Sequence, residues 1–233
     1  MGNGMIIVGA GRVGTVFARG GGQLVRRGEP IPVGAPIVVC TRNDDVNDVI
    51  TATPAACKED LCFVQNGVLA PVLARQGLGG ATQGVLWFAA ADRSGRADPG
   101  PSSLFFGRHA GALVGVLQGL GLPAAVLPNA EALREAIHHK LLWNVVYGLL
   151  GERWKRPVGE LPEAAVRGLV AELAPVLGVS ADAEPHLAYA ASIATFPASL
   201  KEWEWRNGWV RERARAMGLP TPLHEALLAE VGR

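Results

Sequence analysis

The sequence has few of the residues that mark several large classes of protein. Its three cysteines, Cys40, Cys57 and Cys62, are odd in number and include no Cys-x-x-Cys pair. This argues against a disulfide framework and a structural metal site, and we expect a reduced, cytoplasmic protein. Lys and Arg number 22 against 21 Asp and Glu, so no global positive field favours nucleic acid as a partner.

Long hydrophobic runs are also scarce. Residues 110–127 are apolar except for Gln118, but four glycines and a proline interrupt the run. It therefore divides into a helix, a turn and a strand more naturally than it forms a membrane span. No basic segment followed by an apolar core precedes the first glycines, so we expect neither a secretory signal nor a membrane partner.

The sequence does contain a nucleotide-binding pattern near its start. The apolar run Met5–Val8 leads directly into a Gly-x-Gly-x-x-Gly motif. Gly9 permits a tight turn, Gly11 lets the backbone approach a pyrophosphate, and Gly14 lets a helix pack closely on the strand. The pattern predicts dinucleotide binding in preference to a plain structural turn. The motif comprises Gly9, Ala10, Gly11, Arg12, Val13 and Gly14.

A basic residue follows what we interpret as the second strand. That strand is predicted over Pro36–Cys40 and ends at Thr41-Arg42-Asn43. The residue at the tip of the second strand faces the adenosine ribose, where a carboxylate selects NAD and an arginine pairs with the 2′-phosphate of NADP. Arg42 therefore favours NADP, with a solvated arginine as the alternative. Asp44 and Asp45 fit the start of the next helix better.

The pattern of the chain changes near Pro128. Before it we expect further strands at residues 61–65, 83–91, 102–106 and 124–127, the middle two forming a hairpin on one edge of the sheet. After it Asn129 can N-cap a helix through about Leu150, and a helix predicted over 183–217 is kinked or divided by Pro197. The fold class is thus α/β, with a Rossmann-type domain at 1–127 and an all-helical domain at 128–233.

Three patches together resemble the ketopantoate reductase family of NADPH-dependent 2-keto acid reductases. They are the glycine motif, Gln65-Asn66-Gly67 and Lys140-Leu141-Leu142-Trp143-Asn144. A weaker fourth patch begins at Glu202, continues to Gly208 and is followed by Gly218-Leu219-Pro220-Thr221-Pro222. The patches span nearly the whole chain, which is identified as a divergent, shortened member. The resemblance implies a Rossmann domain followed by a helical domain, meeting at a cleft.

The resemblance also implies roles for four side chains. Lys140 would deliver a proton to the substrate carbonyl, and Asn144, one helical turn later, would orient the lysine or the substrate. Asn66 would contact the nicotinamide or the reacting oxygen, and Glu202 would accept a hydrogen bond from a substrate hydroxyl. Their structural alternatives are a solvated helix lysine, a plain Asn-Gly turn and a surface glutamate.

Departures from the family pattern leave the substrate open. The segment before Gln65 is shorter, Gly148 stands where an asparagine often does, and no Gln-Asp pair precedes Glu202. Either Ser192 or Ser199 can hold the substrate carboxylate. Our first hypothesis is reduction of ketopantoate to pantoate, a step of pantothenate biosynthesis, and the C-terminal tryptophans make a homodimer plausible. The alternatives are a non-catalytic NADP-binding sensor or scaffold, and an NADP-linked hydroxyacid or 6-phosphogluconate-type dehydrogenase.

Overall fold

The computed structural model describes residues 4–34 and 36–233, and the chain divides into two compact units. Unit 1 consists of Met1–Gln65 and Leu69–Arg134, and unit 2 of Asn66–Val68 and Glu135–Arg233. The contacts thus group the short segment 66–68 with the helical unit, although it follows a strand of the sheet. The domain boundary predicted at 127/128 is not tested by this grouping and stays a prediction.

Unit 1 contains a seven-stranded sheet of order β2-β1-β3-β4-β5-β8-β9. All neighbouring strands are parallel except β5 and β8, which pair antiparallel, and β6 and β7 form a separate ribbon. The strands are β1 Ile6–Val8, β2 Gln23–Val25, β3 Ile37–Val39, β4 Leu61–Phe63, β5 Thr82–Val85, β6 Phe88–Ala89, β7 Asp98–Pro99, β8 Ser103–Phe106 and β9 Ala124–Val126.

Four helices accompany this sheet. They are α1 Arg12–Arg19, α2 Val46–Ala52, α3 Ala70–Arg75 and α4 Ala110–Gly119. The central strands β1, β3 and β4 are buried along their whole length, as expected for continuous apolar runs in a parallel sheet. Ile7, Val38 and Phe105 of the strands share a core with Phe17 of α1 and Leu113 of α4.

Two expectations about the sheet are wrong. Strand β2 was missed, because it is three residues long, only one of them buried, and so has no detectable period. It pairs with one side of β1 and β3 pairs with the other, so the strand at 37–39 is the third along the chain. Strands β5 and β8 pair antiparallel, as the predicted hairpin requires, but the strand predicted over 83–91 is divided into β5 and β6, and β9 pairs with β8 and occupies the edge.

The second half of the chain is helical, as the sequence predicts. Its helices are α5 Ala130–Trp154, α6 Glu163–Leu177, α7 Glu184–Ser192, α8 Asn207–Met217 and α9 Pro222–Glu230. The carboxamide of Asn129 accepts a hydrogen bond from the backbone N–H of Ala132 at 2.9 Å, which confirms the predicted N-cap. No helix of the described residues is long and apolar enough to cross a bilayer.

The helix predicted over 183–217 forms as two helices, α7 and α8, and the break between them is longer than a proline kink would make it. Residues 193–206 contain no α-helix, and the stretch around Pro197 pairs with another segment. Val158 donates to the carbonyl of Phe196 at 3.0 Å, and Gly159 donates to the carbonyl of Ala194 at 2.9 Å. These long-range bonds hold the segment extended, and Pro197 has no N–H with which to continue a helix.

Candidate active site

The glycine motif forms the turn between β1 and α1. Gly9 has a φ of +108°, which side chains other than hydrogen rarely permit. A Cβ on Gly14 would lie 1.8 Å from the carbonyl oxygen of Gly9, so only glycine lets α1 pack against the turn. A Cβ on Gly11 would meet nothing nearer than 3.9 Å. The residues present therefore fit a dinucleotide, with open space at the middle glycine and a helix N-terminus beside it.

A cavity of about 660 Å³ lies beside this turn. It is lined by Gly9–Gly11 and by residues that follow β2 and β3. Its charged lining residues are four arginines and three carboxylates, namely Arg26, Arg27, Arg42, Arg93, Glu29, Asp45 and Asp48. The cavity thus offers several guanidinium groups beside a turn suited to phosphate.

The order of the strands shows that the arginines near the adenosine ribose position are not the one predicted from the sequence. In a Rossmann domain that position is the tip of the strand reached directly after the first helix, which here is β2. The premise that Arg42 follows the second strand is therefore wrong, because Arg42 follows β3. Arg26 and Arg27 follow β2, and Arg27 forms an ion pair with Asp45 at 2.7 Å. Arg42 lines the same cavity, and its role in cofactor binding stays a prediction.

Lys140 is buried within α5. Its exposed fraction is 7%, and its Nζ lies 4.8 Å from the ring centroids of both Trp143 and Tyr189. Burial, and secondarily the positive charge of Arg206, lowers the pKa of Lys140 from 10.5 to about 7. An amine with this pKa both holds and releases a proton near neutral pH. A solvated helix lysine, the structural alternative, is excluded by this burial.

Asn144, in the same helix as Lys140, forms a hydrogen bond with Asn66. Asn144 lies one turn after Lys140 with 7% of its surface exposed, and its Nδ2 donates to Oδ1 of Asn66 at 3.2 Å. Gly67 has a φ of +100°, and a Cβ there would lie 2.6 Å from the carbonyl oxygen of Trp205. The Asn66-Gly67 turn is therefore packed tightly against the residues after Glu202. Three of the patches that resemble the family thus come together within unit 2.

Glu202 occupies a strained position in this unit. Its φ of 48° lies in the left-handed region, which costs a non-glycine residue ~1 kcal/mol or more. Its carboxylate accepts a hydrogen bond from Nη2 of Arg206 at 2.5 Å, and the two side chains are 18% and 12% exposed. The ion pair is therefore mostly buried, in contrast to a surface pair. Such strain is typical of functional positions.

The two candidate serines are placed differently from each other. Ser192 is exposed, and its hydroxyl donates to the carbonyl of Tyr189 in its own helix at 2.8 Å. The backbone carbonyl of Ser199 would lie 3.2 Å from a Cβ on Gly148, and that of Ala198 would lie 2.4 Å from a Cβ on Gly151. The chain at 198–199 thus packs directly on α5, and any side chain at position 148 would fit tightly against it.

Sequence reasoning missed several side chains of the two sites. It did not select Arg26 and Arg27, although a pair of arginines soon after the glycine motif was a usable signal. It selected neither Arg206 nor Tyr189, and the ring centroid of Tyr189, on another helix, lies 4.8 Å from Nζ of Lys140. No local sequence pattern predicts the contact between Tyr189 and Lys140. Within the described part of the chain, no group of three or more His, Cys, Asp or Glu side chains is arranged to hold a metal ion.

Comparison with known proteins supports the fold. No family model matches this sequence, and no curated protein matches it. A ketopantoate reductase from Ralstonia eutropha JMP134 matches with a TM-score of 0.71 and 20% identity, covering 97% of each chain. A dimeric ketopantoate reductase from Staphylococcus aureus matches at 0.70 and 15%, covering 98% of this chain and 97% of that one. D-mandelate dehydrogenase with NADH and anilino(oxo)acetate matches at 0.72 and 15%, covering 97% of each.

These matches run over nearly the full length of both chains. The chain therefore has the fold of the ketopantoate reductases, a mostly parallel sheet with flanking helices followed by a helical segment, which confirms the expected resemblance at the level of fold. At 13–20% identity over the eight structures compared, the likeness carries no residue roles by itself. Those roles must be argued from the geometry of this chain.

Proposed function

We propose that this protein is an NAD(P)H-dependent reductase of a small 2-keto acid, with NADPH as the first candidate cofactor and ketopantoate as the first candidate substrate. The observation that carries the proposal is Lys140, a buried lysine with a pKa of about 7. It shares unit 2 with the hydrogen-bonded pair Asn144 and Asn66. The glycine turn of unit 1 supports the cofactor, and the fold supports the reaction class.

The reaction assigns a task to each of these side chains. The glycine turn of residues 9–14 would hold NADPH, and the bound cofactor would supply the hydride that reduction of the carbonyl group needs. Lys140 donates a proton from Nζ to the carbonyl oxygen, which completes the 2-hydroxy acid, and the neutral amine then regains a proton from water. Asn144 and Asn66 orient the carbonyl for this transfer. Trp143 and Tyr189 exclude water around the amine and so keep its pKa low.

Our preference for NADPH over NADH rests on the arginines of the cavity. Arg26 and Arg27 follow β2, where a 2′-phosphate would lie, and guanidinium groups bind phosphate through two parallel hydrogen bonds. Arg42 and Arg93 add positive charge to the same cavity. The similar D-mandelate dehydrogenase was solved with NADH, so the fold itself is compatible with either cofactor.

The experiment that tests the proposal follows the loss of NADPH absorbance. The substrates are ketopantoate, 2-oxo-3-methylbutanoate and benzoylformate, and the variant is Lys140→Ala. We expect turnover by the wild type, and a fall of about 10²- to 10⁴-fold in the variant, with the Kd for NADPH nearly unchanged. The control is Lys58→Ala, which removes a lysine of unit 1 that is distant from Lys140 in the sequence.

Two results would redirect the proposal. NADPH binding without consumption on any of the 2-keto acids would reject the enzyme and favour the non-catalytic sensor or scaffold. Unchanged turnover in Lys140→Ala would remove the lysine from the mechanism while leaving the reductase standing. The 6-phosphogluconate-type alternative has no observation in its favour.

A second candidate is an NAD-linked dehydrogenase that oxidises a 2-hydroxy acid. It is favoured by the similarity to D-mandelate dehydrogenase, whose TM-score of 0.72 is comparable to the 0.71 and 0.70 of the two ketopantoate reductases. The same residues would act in reverse, with neutral Lys140 removing the hydroxyl proton. Assays with NAD and D-mandelate at pH values above the pKa of Lys140 distinguish it, because only the dehydrogenase would be faster with NAD than with NADP.

The proposal extends to the assembly and the cellular role of the protein. The staphylococcal neighbour is described as dimeric, and we propose a homodimer here, which light scattering during size-exclusion chromatography will test. A cytoplasmic location and a role in pantothenate biosynthesis stay predictions from the sequence. Complementation of a pantothenate auxotroph tests the second.

A further inference from the structure

Unit 2 contains a second buried cation that the proposed reaction does not use. The side chain of Arg206 is only 12% exposed. One of its nitrogens, Nη2, donates to Glu202, whereas Nε is buried with no hydrogen-bond partner among the described residues. A buried donor left without an acceptor costs about 1–3 kcal/mol, and more when it is charged. A guanidinium in this state is suited to receive an anion.

Arg206 also lies next to the residues assigned to the reaction. Its charge acts on Lys140. The turn that precedes it packs against Gly67, the neighbour of Asn66, which in turn bonds Asn144. In a 2-keto acid the carboxylate carbon is bonded directly to the carbonyl carbon. The group that protonates the carbonyl and the group that binds the carboxylate must therefore be close to each other, and Arg206 is close enough to Lys140 for its charge to lower the pKa of the amine.

The serine that we expected to bind the carboxylate has no support from the structure. The hydroxyl of Ser192 is directed to its own helix, and it is the backbone of Ser199 that packs on α5. Glu202, meanwhile, already accepts a short hydrogen bond from Arg206. Its carboxylate holds the guanidinium in place, and its strained backbone shows that the surrounding fold enforces this placement.

We propose that Arg206 binds the carboxylate of the substrate and that Glu202 positions Arg206 instead of receiving a substrate hydroxyl. The inference rests on the proposed function and narrows its substrate class. The enzyme then takes 2-keto acids by their 1-carboxylate and does not require a hydroxyl group on the rest of the molecule.

The test compares an acid with its neutral ester. The substrates are benzoylformate and methyl benzoylformate, and the variants are Arg206→Gln, Arg206→Lys and the control Arg211→Gln. Arg211 lies in helix α8, which begins directly after Arg206, but its guanidinium pairs with Glu225. Loss of a buried charged contact to the carboxylate should lower kcat/KM for the acid by about 10²-fold. The ester should change by no more than a few-fold, so the preference for the acid disappears.

The variant Arg206→Lys distinguishes a role in binding the carboxylate from a purely structural role of Arg206. Arg206→Lys retains a cation and should restore part of the preference for the acid, while Arg211→Gln should leave that preference unchanged. An equal fall for acid and ester in both Arg206 variants would overturn the proposal, because it would show that Arg206 only supports the fold. Circular dichroism spectra of each variant establish that it is folded before it is assayed.

A second pair of substrates tests the role of Glu202. Ketopantoate is compared with 3,3-dimethyl-2-oxobutanoate, which is the same molecule without its hydroxyl. We expect the wild type to reduce both with kcat/KM values within about 10-fold, less than one buried hydrogen bond to a charged group would give. Glu202→Gln should weaken both equally, because it loosens Arg206. A loss confined to ketopantoate would show that Glu202 does receive the hydroxyl and would overturn this part of the inference.

Binding of oxalate separates failure of this inference from failure of the proposed function. Oxalate resembles the carboxylate end of a 2-keto acid and cannot be reduced by a hydride in this site. We expect it to raise the Tm of the wild type and of Arg211→Gln but not that of Arg206→Gln. If no 2-keto acid is reduced, the reductase is rejected, yet this pattern would still uphold the carboxylate site. An equal rise in all three proteins would reject the site.

Discussion

Replacing Lys140 by methionine should stabilise the protein while abolishing its activity. Methionine is apolar and nearly the same length, so it fills the space between Trp143 and Tyr189 without a charge. The wild-type lysine has a folded-state pKa of about 7 in place of 10.5. Because each pH unit corresponds to ~1.4 kcal/mol, holding the charged form inside the fold costs about 5 kcal/mol below pH 7.

The sign of the pH dependence follows from this lowered pKa. Between pH 7 and 10.5 the unfolded chain binds the proton of Lys140 and the folded chain releases it. The free energy of unfolding of the wild type therefore rises with pH across this window relative to that of Lys140→Met. The variant should be more stable by several kcal/mol near pH 6, and the difference should be nearly gone by pH 10.5.

Urea unfolding followed by tryptophan fluorescence measures this difference. Five of the six tryptophans lie in unit 2 and report its unfolding, namely Trp143, Trp154, Trp203, Trp205 and Trp209. Lys58→Met is the control, and we expect its difference from the wild type to stay small at every pH. A Lys140→Met variant that is less stable than the wild type at pH 6, or whose advantage does not change with pH, would refute the argument from burial.

Three further predictions concern activity and cofactor binding. For reduction, kcat/KM should fall as the pH rises through about 7, the pKa of Lys140, because the proton donor is lost; a profile level up to about pH 9 would contradict this. Gly14→Ala should weaken NADPH binding and lower the Tm, since its Cβ would meet Gly9 at 1.8 Å, whereas Gly79→Ala, with open space around it, should do neither. Arg26→Gln should lower the ratio of kcat/KM for NADPH over NADH by about 10-fold, and an unchanged ratio would remove this arginine from 2′-phosphate recognition.

The sequence was most informative where a feature depends on residues close together in the chain. The turn at Gly9–Gly14 follows from a strand that leads directly into a helix, and the N-cap at Asn129 follows from one side chain and the next turn of backbone. Each of these is a local pattern, and the structure contains each of them.

Where the sequence misled, the missing information was non-local. Arg42 was assigned to the second strand because β2 is too short to show a period, and only the pairing of β1 with strands on both sides reveals its place. The helix predicted over 183–217 fails for a similar reason. Hydrogen bonds from Val158 and Gly159 hold the segment near Pro197 extended, and no window of sequence contains both partners.

The sequence alone therefore determined that an α/β part precedes a helical part, that a glycine turn lies at Gly9–Gly14, and that Lys140 is the candidate proton donor. Only the tertiary structure decided that Lys140 is buried between Trp143 and Tyr189, and that Asn144 meets Asn66, 78 residues away along the chain. It also decided that Glu202 is bound to Arg206. The reason is physical: helix and turn signals arise between neighbours, whereas the pKa of an amine depends on every group that the fold brings around it.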